Sequence, residues 1–430
     1  MTTLLQSLAT TCARPVTPAD RARAARHVLD WLGCAVAGAV SPQGRVLATL
    51  AEPGDTPLAG GGTASSRSAA LINGGLGNVL EMDDVHRTAI LHPGPVVIPA
   101  ALALAPDAKA FLSAVVRGYE AMIRVGQSVG PAHYRHFHNT ATCGPFGAAM
   151  AAASALRLTE EQSVHAMANA GSTAGGLWQM RHEDVPTKQL HAARAAEAGV
   201  TAALLAARGF TGPKSLLEGE QGFLAALCPD GDPAPIMTAY DRWLIHDVSF
   251  KPWPACRHAH PAIDAALTLR ERAGTDGFET IHVRTYADAI KFCDQPEPAT
   301  PAQARFSLQH AVAVALRRGA PDLSAFEMEA VTDPGIAALR ARITVDEDAF
   351  LTDTFPARYG VAIEADGGRT AEARDALGDP ARPLADDRLR AKAVMLMEAG
   401  GRGADADRLC DLTLSLPGGG WDAWRAAVAG

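Results

Sequence analysis

Gly144-Pro145-Phe146-Gly147-Ala148-Ala149-Met150-Ala151-Ala152-Ala153-Ser154-Ala155 is almost entirely Gly, Ala, Ser and Met around one phenylalanine. Side chains this small let neighbouring helices approach to backbone distance, because interaxial separation follows side-chain size. The segment is predicted to be a helix at the crowded centre of a bundle. Around it the helical texture continues. Thr17-Pro18-Ala19-Asp20 supplies an N-cap, a proline at the first helical position and an acid three residues on. Behind it Val28, Leu29, Leu32 and Val36 recur at helical spacing. Thr159-Glu160-Glu161-Gln162 is a capping box opening a further helix through Met167. Residues 17–240 therefore read as helical.

The texture changes near Val248. Phe278-Glu279-Thr280-Ile281-His282-Val283-Arg284 alternates as a half-buried strand does. So do residues 341–345 and 359–364, the latter ending at the turn signal Asp366-Gly367-Gly368. Helical stretches at 301–317 and 325–341 lie between them, and 386–397 and 404–416 return to helix. The predicted fold is mainly α. A large, discontinuous all-helical domain (1–247, rejoined by 384–430) carries a smaller inserted α+β domain at 248–383.

Length and composition agree: 430 residues exceed one ordinary core, and the 48% hydrophobic content is carried by Ala, Leu and Val, with aromatics at only 5%. The net charge of −8 and the absence of any Lys/Arg run argue against a nucleic-acid partner. An acidic protein still binds an anion where its few cations converge. Seven scattered cysteines, odd in number and without a CxxC pair, argue against a disulfide framework or a zinc knuckle. Residues 1–16 lack a charged n-region followed by an apolar h-region, and the longest apolar run, 96–105, contains Pro99 and is far short of a bilayer span. The expectation is a cytoplasmic protein with no membrane partner.

Histidines and lysines concentrate in four segments. The first, residues 81–94, holds Glu81, Asp83, Asp84, His86, Arg87 and His92 at a Pro/Gly-rich helix exit. Such groups are costly to bury and unnecessary for folding, although a solvated loop explains them equally well. The second, residues 133–142, carries His136, His138, Thr140 and Thr142 at the start of the small-residue helix; it reads either as an anion site or as simple capping by Thr142. The third contains Lys188 and His191. Lys188 is the only lysine between Lys109 and Lys214 in a chain that prefers Arg, and Lys, unlike Arg, can shift its pKa when buried. The fourth, residues 250–260, carries Lys251, Cys256, Arg257, His258 and His260 where helical texture gives way to strands. Together they suggest a cationic cleft between two domains.

Competing motifs lack their context. His133-x-x-His136-x-His138 and Cys256-x-His258-x-His260 resemble metal triads without an HExxH or CxxC frame. Gly60-Gly61-Gly62 is followed by no Gly-Lys-Ser/Thr, and no GxSxG elbow is present. Neither a metal nor a cofactor is expected.

At these segments the chain resembles the MmgE/PrpD family, whose members include 2-methylcitrate dehydratase, cis-aconitate decarboxylase and iminodisuccinate epimerase. The resemblance rests on Ala70-Leu71-Ile72-Asn73-Gly74, Leu80-Glu81-Met82-Asp83-Asp84, His92-Pro93, Phe137-His138-Asn139-Thr140-Ala141-Thr142, Thr187-Lys188-Gln189-Leu190-His191, Lys251-Pro252-Trp253-Pro254, Phe306-Ser307-Leu308 and Gly378-Asp379-Pro380. It implies a discontinuous helical domain, a smaller lid domain and a homodimer. It also implies that Lys188, His138, Lys251 and His92 are catalytic. Glu81, Asp83, Asp84, His86, Arg87, His191, Cys256, Arg257, His258 and His310 are then candidates for binding a small anionic carboxylate.

The chain departs from the decarboxylase-like pattern at four positions. Glu81 replaces Asp, Val85 replaces Thr, Cys256 replaces His and His310 replaces Tyr. Arg87, Arg257 and His258 are the available substitutes for the lost hydrogen-bond donors. The expected activity is that of a hydro-lyase removing a proton next to a carboxylate of a di- or tricarboxylate. The alternatives are an epimerase using the same base, a metal-dependent enzyme using His258 and His260, and a binding protein without activity.

Overall fold

The computed structural model describes residues 2–183, 185–274 and 278–430. The fold is mainly α, 61% helical over these residues. It divides into two compact units, Met1–Val248 with Ala385–Gly430, and Ser249–Leu384.

In the first unit the caps read from sequence are in place. The Thr17 hydroxyl accepts from the Asp20 N–H at 3.2 Å, and the Asp20 carboxylate accepts from the Thr17 N–H at 2.8 Å. The helix Pro18–Ala39 then buries Val28, Leu29, Leu32 and Val36. Thr159 and Gln162 make the same reciprocal pair at the start of Glu160–Ser172.

The small-residue segment lies in the helix Asn139–Ala155, of which every residue but Ser154 is buried. It packs against Gly94–Leu102, Ala108–Ser128, Glu160–Ser172 and Thr187–Ala206. The crossing with Thr187–Ala206 is at backbone distance. A Cβ on Gly199 would lie 2.3 Å from the Ala148 Cβ and 2.4 Å from its carbonyl carbon. Backbone cannot yield as a flexible side chain does, so any larger residue there separates the helices. This crossing fixes the helix that carries Lys188 and His191. Among the described residues no helix is long and apolar enough to cross a membrane.

The second unit is built on a four-stranded sheet in the order Ile343–Glu347, Ile281–Thr285, Val361–Ala365, Arg369–Ala373. The first pair is parallel and the others antiparallel, with Ile281 opposite both Ile343 and Ala365. Ile281, Val283, Val361, Ile363, Ala371 and Ala373 bury one face against the helices His260–Ala273 and Leu308–Arg318. Period-2 alternation thus places one apolar row per strand in a shared core.

The helical stretches expected at 301–317 and 325–341 are broken. Ser307 ends Pro301–Arg305 and caps Leu308–Arg318, its hydroxyl accepting from the His310 N–H at 2.9 Å. Asp333 starts Pro334–Arg340 in the same way, accepting from Gly335 and Ile336 at 2.8 and 2.9 Å. Pro334 removes the N–H that would have continued Met328–Thr332. The strand Arg369–Ala373 was not anticipated, because its inward residues are alanines.

Candidate active site

The first unit gathers six of the sequence candidates. The turn after the helix Ser66–Asn78 carries Glu81, Met82, Asp83 and Asp84, all buried. Glu81 has a φ of 56°, the left-handed region that a residue with a side chain adopts at a cost of ~1 kcal/mol or more. In this conformation its carboxylate meets the Lys188 ammonium at 2.5 and 2.6 Å. Asp83 reaches the other way, to His92 Nδ1 at 2.9 Å, and accepts from the Asn78 amide at 3.0 Å. The His92 N–H donates to the Thr140 hydroxyl at 3.1 Å, which ties the turn to the start of the central helix.

His138 precedes that helix and is 2% exposed. Its Nδ1 lies 3.2 Å from His191 Nδ1, so one ring donates and the other accepts. The Trp178 ring lies 4.6 Å from its centroid and the His92 ring 6.5 Å. The Trp178 contact follows from main-chain pairing: the His138 N–H donates to the Gly176 carbonyl and the Trp178 N–H to that of His136, each at 3.0 Å.

Burial, then the charge of Lys188, pushes His138 well below the usual histidine range, and the same two causes lower His191. Both imidazoles are neutral near pH 7. A neutral imidazole accepts a proton, and a fixed ammonium whose field reaches it stabilises an anion formed nearby.

Asp84 and His86 each have partners inside the first unit. Asp84 accepts from the Gly94 N–H at 2.8 Å and from the Tyr119 hydroxyl at 2.6 Å, and its other contact is His27 Nδ1 at 2.6 Å. Burial raises its carboxyl to about 6 and holds His27 well below the usual range, so His27 meets it as a neutral donor. His86 is buried, and its Nδ1 accepts from the Ala89 N–H at 3.2 Å. Burial and the charge of Arg87 push it down to about 3. Arg87 is half-buried at the bend between His86 and Leu91, which are bridged by backbone hydrogen bonds.

His133 is engaged at both nitrogens, by Thr142 and by the Leu227 carbonyl, at 2.8 and 2.9 Å. Of the first metal-like triad, His133 is thus taken up by internal hydrogen bonds.

In the second unit Lys251 is fully buried. Its neighbour Phe250 donates its N–H to the Gly378 carbonyl at 3.1 Å. Asp379 accepts from Ser249 at 2.6 Å and pairs with Arg257, which also donates to the Leu377 carbonyl at 3.1 Å. The Gly378-Asp379 motif therefore clamps both ends of the segment around Lys251.

His258 bonds the Tyr286 hydroxyl at 2.8 Å and stacks on Phe292 and Tyr359. His260 bonds the Ala255 carbonyl at 3.0 Å. His310 bonds the Ala325 carbonyl at 2.8 Å and receives Arg340 at 3.0 Å. Cys256 is 8% exposed, and its N–H is held by the Arg305 carbonyl. Arg257, His258 and His310 thus have structural partners inside this unit. The strand-like spacing of Cys256, His258 and His260 falls in a 3-10 turn, where alternate residues do not share a face. Among the described residues no three His, Cys, Asp or Glu are grouped to hold a metal.

The sequence did not single out Trp178, His27 or Tyr119. Each is one polar or aromatic residue in a helical or loop stretch, without a local signal.

A model of the MmgE/PrpD N-terminal domain matches residues 3–236, and one of the C-terminal domain matches 253–416. The chain belongs to the MmgE/PrpD family. MmgE/PrpD relatives include the cis-aconitate decarboxylase of Homo sapiens, 30% identical over 299 residues that make up 65% of this chain and 61% of that protein. The cis-aconitate decarboxylase-like protein oryM of Aspergillus oryzae is 25% identical over 87% of this chain and 86% of its own length. The 2-methylcitrate dehydratase of Cupriavidus necator is 30% identical over 48% of this chain and 45% of its own. The match to the human relative thus spans about three fifths of that protein.

Proposed function

We propose that this MmgE/PrpD chain is a lyase that eliminates water from a small di- or tricarboxylate after removing a proton next to a carboxylate. The observation that carries the reading is the buried, neutral His138 within the field of the Lys188 ammonium. His138 takes the proton. Negative charge then grows on the adjacent carboxyl group, where a fixed cation is worth ~10²–10³ in rate. Lys188 supplies that cation. The electron pair left by the C–H bond closes into the C=C bond, the C–O bond to the β-hydroxyl breaks with its pair on oxygen, and the hydroxide takes one proton and leaves as water. Relatives named as a decarboxylase and a dehydratase of tricarboxylates support the substrate class.

His92, held by Asp83, is proposed as the group that protonates the leaving hydroxide. The chemistry needs neither metal nor cofactor. Epimerisation is the alternative, since the same base and cation serve a substrate without a leaving group.

The test is an NMR screen of hydroxylated and unsaturated di- and tricarboxylates in deuterated water. Deuterium at an α-carbon together with formation or hydration of a double bond supports the lyase. Deuterium with inversion alone supports the epimerase. Absence of both across the panel rejects the reading.

A further inference from the structure

A second lysine holds the Glu81–Asp84 turn from the far end of the chain. Lys392, on the helix Asp386–Ala399, is 5% exposed. Its ammonium donates to Asp30 Oδ1 and to the Met82 carbonyl, both at 2.6 Å. Burial works against this charge, and the attraction of Asp30 overcomes it, so the ammonium is more basic than a free lysine.

The place of Met82 gives this contact its meaning. The preceding residue is Glu81, paired with Lys188, and the following one is Asp83, paired with His92. The two acids diverge because Glu81 is left-handed, a backbone state that persists only where its surroundings enforce it. Asn78 and Gly94 hold the Asp83 and Asp84 side chains. Lys392 holds the main chain between the two acids.

We propose that Lys392, paired with Asp30, is a positioning residue for the active site: it fixes the Met82 carbonyl and so aims Glu81 at Lys188 and Asp83 at His92. The proposal rests on the reading of Lys188 and His138 as the active centre. The competing explanation is that the pair only fastens Asp386–Ala399 to Pro18–Ala39. Those helices are already in close contact elsewhere, a Cβ on Gly33 falling 3.2 Å from the Ala393 Cα. A fastening role alters global stability alone. A positioning role also alters the pairing of Lys188.

The experiment uses the full chain carrying Lys392→Met. Acetylation of individual lysines by acetic anhydride is followed by mass spectrometry, with Lys214, paired with Glu161 at the surface, as internal reference. We expect the Lys188/Lys214 labelling ratio to rise about fivefold, the factor carried by loss of one partly exposed ion pair. We also expect kcat to fall more than KM rises. An unchanged labelling ratio in a folded variant overturns the proposal.

If Lys392→Met does not fold because Asp30 is left charged and buried, Asp30→Asn with Lys392→Met removes both charges. The double variant still deprives Met82 of its donor and is read in the same way. The labelling ratio needs no substrate. A raised ratio with unchanged turnover of a polycarboxylate would uphold the positioning and reject Lys188 as part of the active centre.

Discussion

The Lys188 ammonium lies across the Glu81 carboxylate, 2.5 Å from one oxygen and 2.6 Å from the other. Neither side chain is free in water: 13% of Lys188 and 7% of Glu81 is exposed. Removing the lysine alone strands a carboxylate, which costs about 1–3 kcal/mol. We expect Lys188→Ala to lose turnover by about 10²–10³ and to unfold at lower urea. Adding Glu81→Gln should restore the unfolding midpoint and leave turnover lost. Wild-type turnover in Lys188→Ala would remove the residue from the mechanism.

His86 predicts an acid limb of stability. Its folded-state pKa of about 3 lies below that of an unfolded histidine, near 6.5. The unfolded chain therefore binds the extra proton, and stability present above pH 6.5 is lost as pH falls toward 3. Between pH 7 and 5 the loss from this group is about 2 kcal/mol. His86→Asn keeps an acceptor for the Ala89 N–H and cannot titrate. Urea unfolding at the two pH values should show a smaller difference for the variant by about that amount. Equal differences would mean that His86 is not the responsible group.

Cis-aconitate should be a poor decarboxylation substrate. Val85 offers no hydrogen-bond donor where the decarboxylase-like pattern has Thr, and Glu81 reaches one methylene further than Asp, onto the ammonium itself. Each carboxylate oxygen left without a partner costs about 1–3 kcal/mol. Carbon dioxide release from cis-aconitate is the measurement. Rapid release would show that these positions do not set substrate choice.

Gly378→Ala should unfold the second unit readily. The glycine has a φ of 93°, and a Cβ there would fall 2.0 Å from the Phe250 carbonyl oxygen. Strain and collision together should cost about 3 kcal/mol or more. Denaturant unfolding followed by the fluorescence of Trp253, which is buried in this unit, reads the loss. A midpoint like that of the wild type would contradict the close approach.

Local signals carried far in the sequence. The reciprocal caps at Thr17 and Thr159 start helices where the hydroxyl and the acid or amide three residues on satisfy each other. Small residues mark the central helix because only they allow a crossing at backbone distance. Pairing of acids with particular cations was not legible: Glu81 and Asp83 are two residues apart, yet they point to residues 107 and 9 positions away. That divergence depends on a left-handed backbone at a glutamate, which no propensity favours. Lys392 had no signal either, since one lysine on an amphipathic helix usually faces water. Arg257 and His258 were expected as substitutes for the donors lost from the decarboxylase-like pattern, and His310 as the residue standing in place of its Tyr. The structure gives each of them internal partners.

The contact between Asp30 and Lys392 spans 362 positions, and the whole second unit, Ser249–Leu384, lies within that span. During synthesis the ribosome therefore delivers the complete inserted unit before the last strut of the outer one exists. Until then Asp30 is a carboxylate waiting in a half-built interior, and the turn that aims Glu81 has lost its clamp. Closing so long a loop costs only slowly more entropy as it lengthens, but it delays the contact that rewards the closure. The nascent protein thus gains the clamp on the Glu81–Asp84 turn late, after the whole of Ser249–Leu384 has emerged.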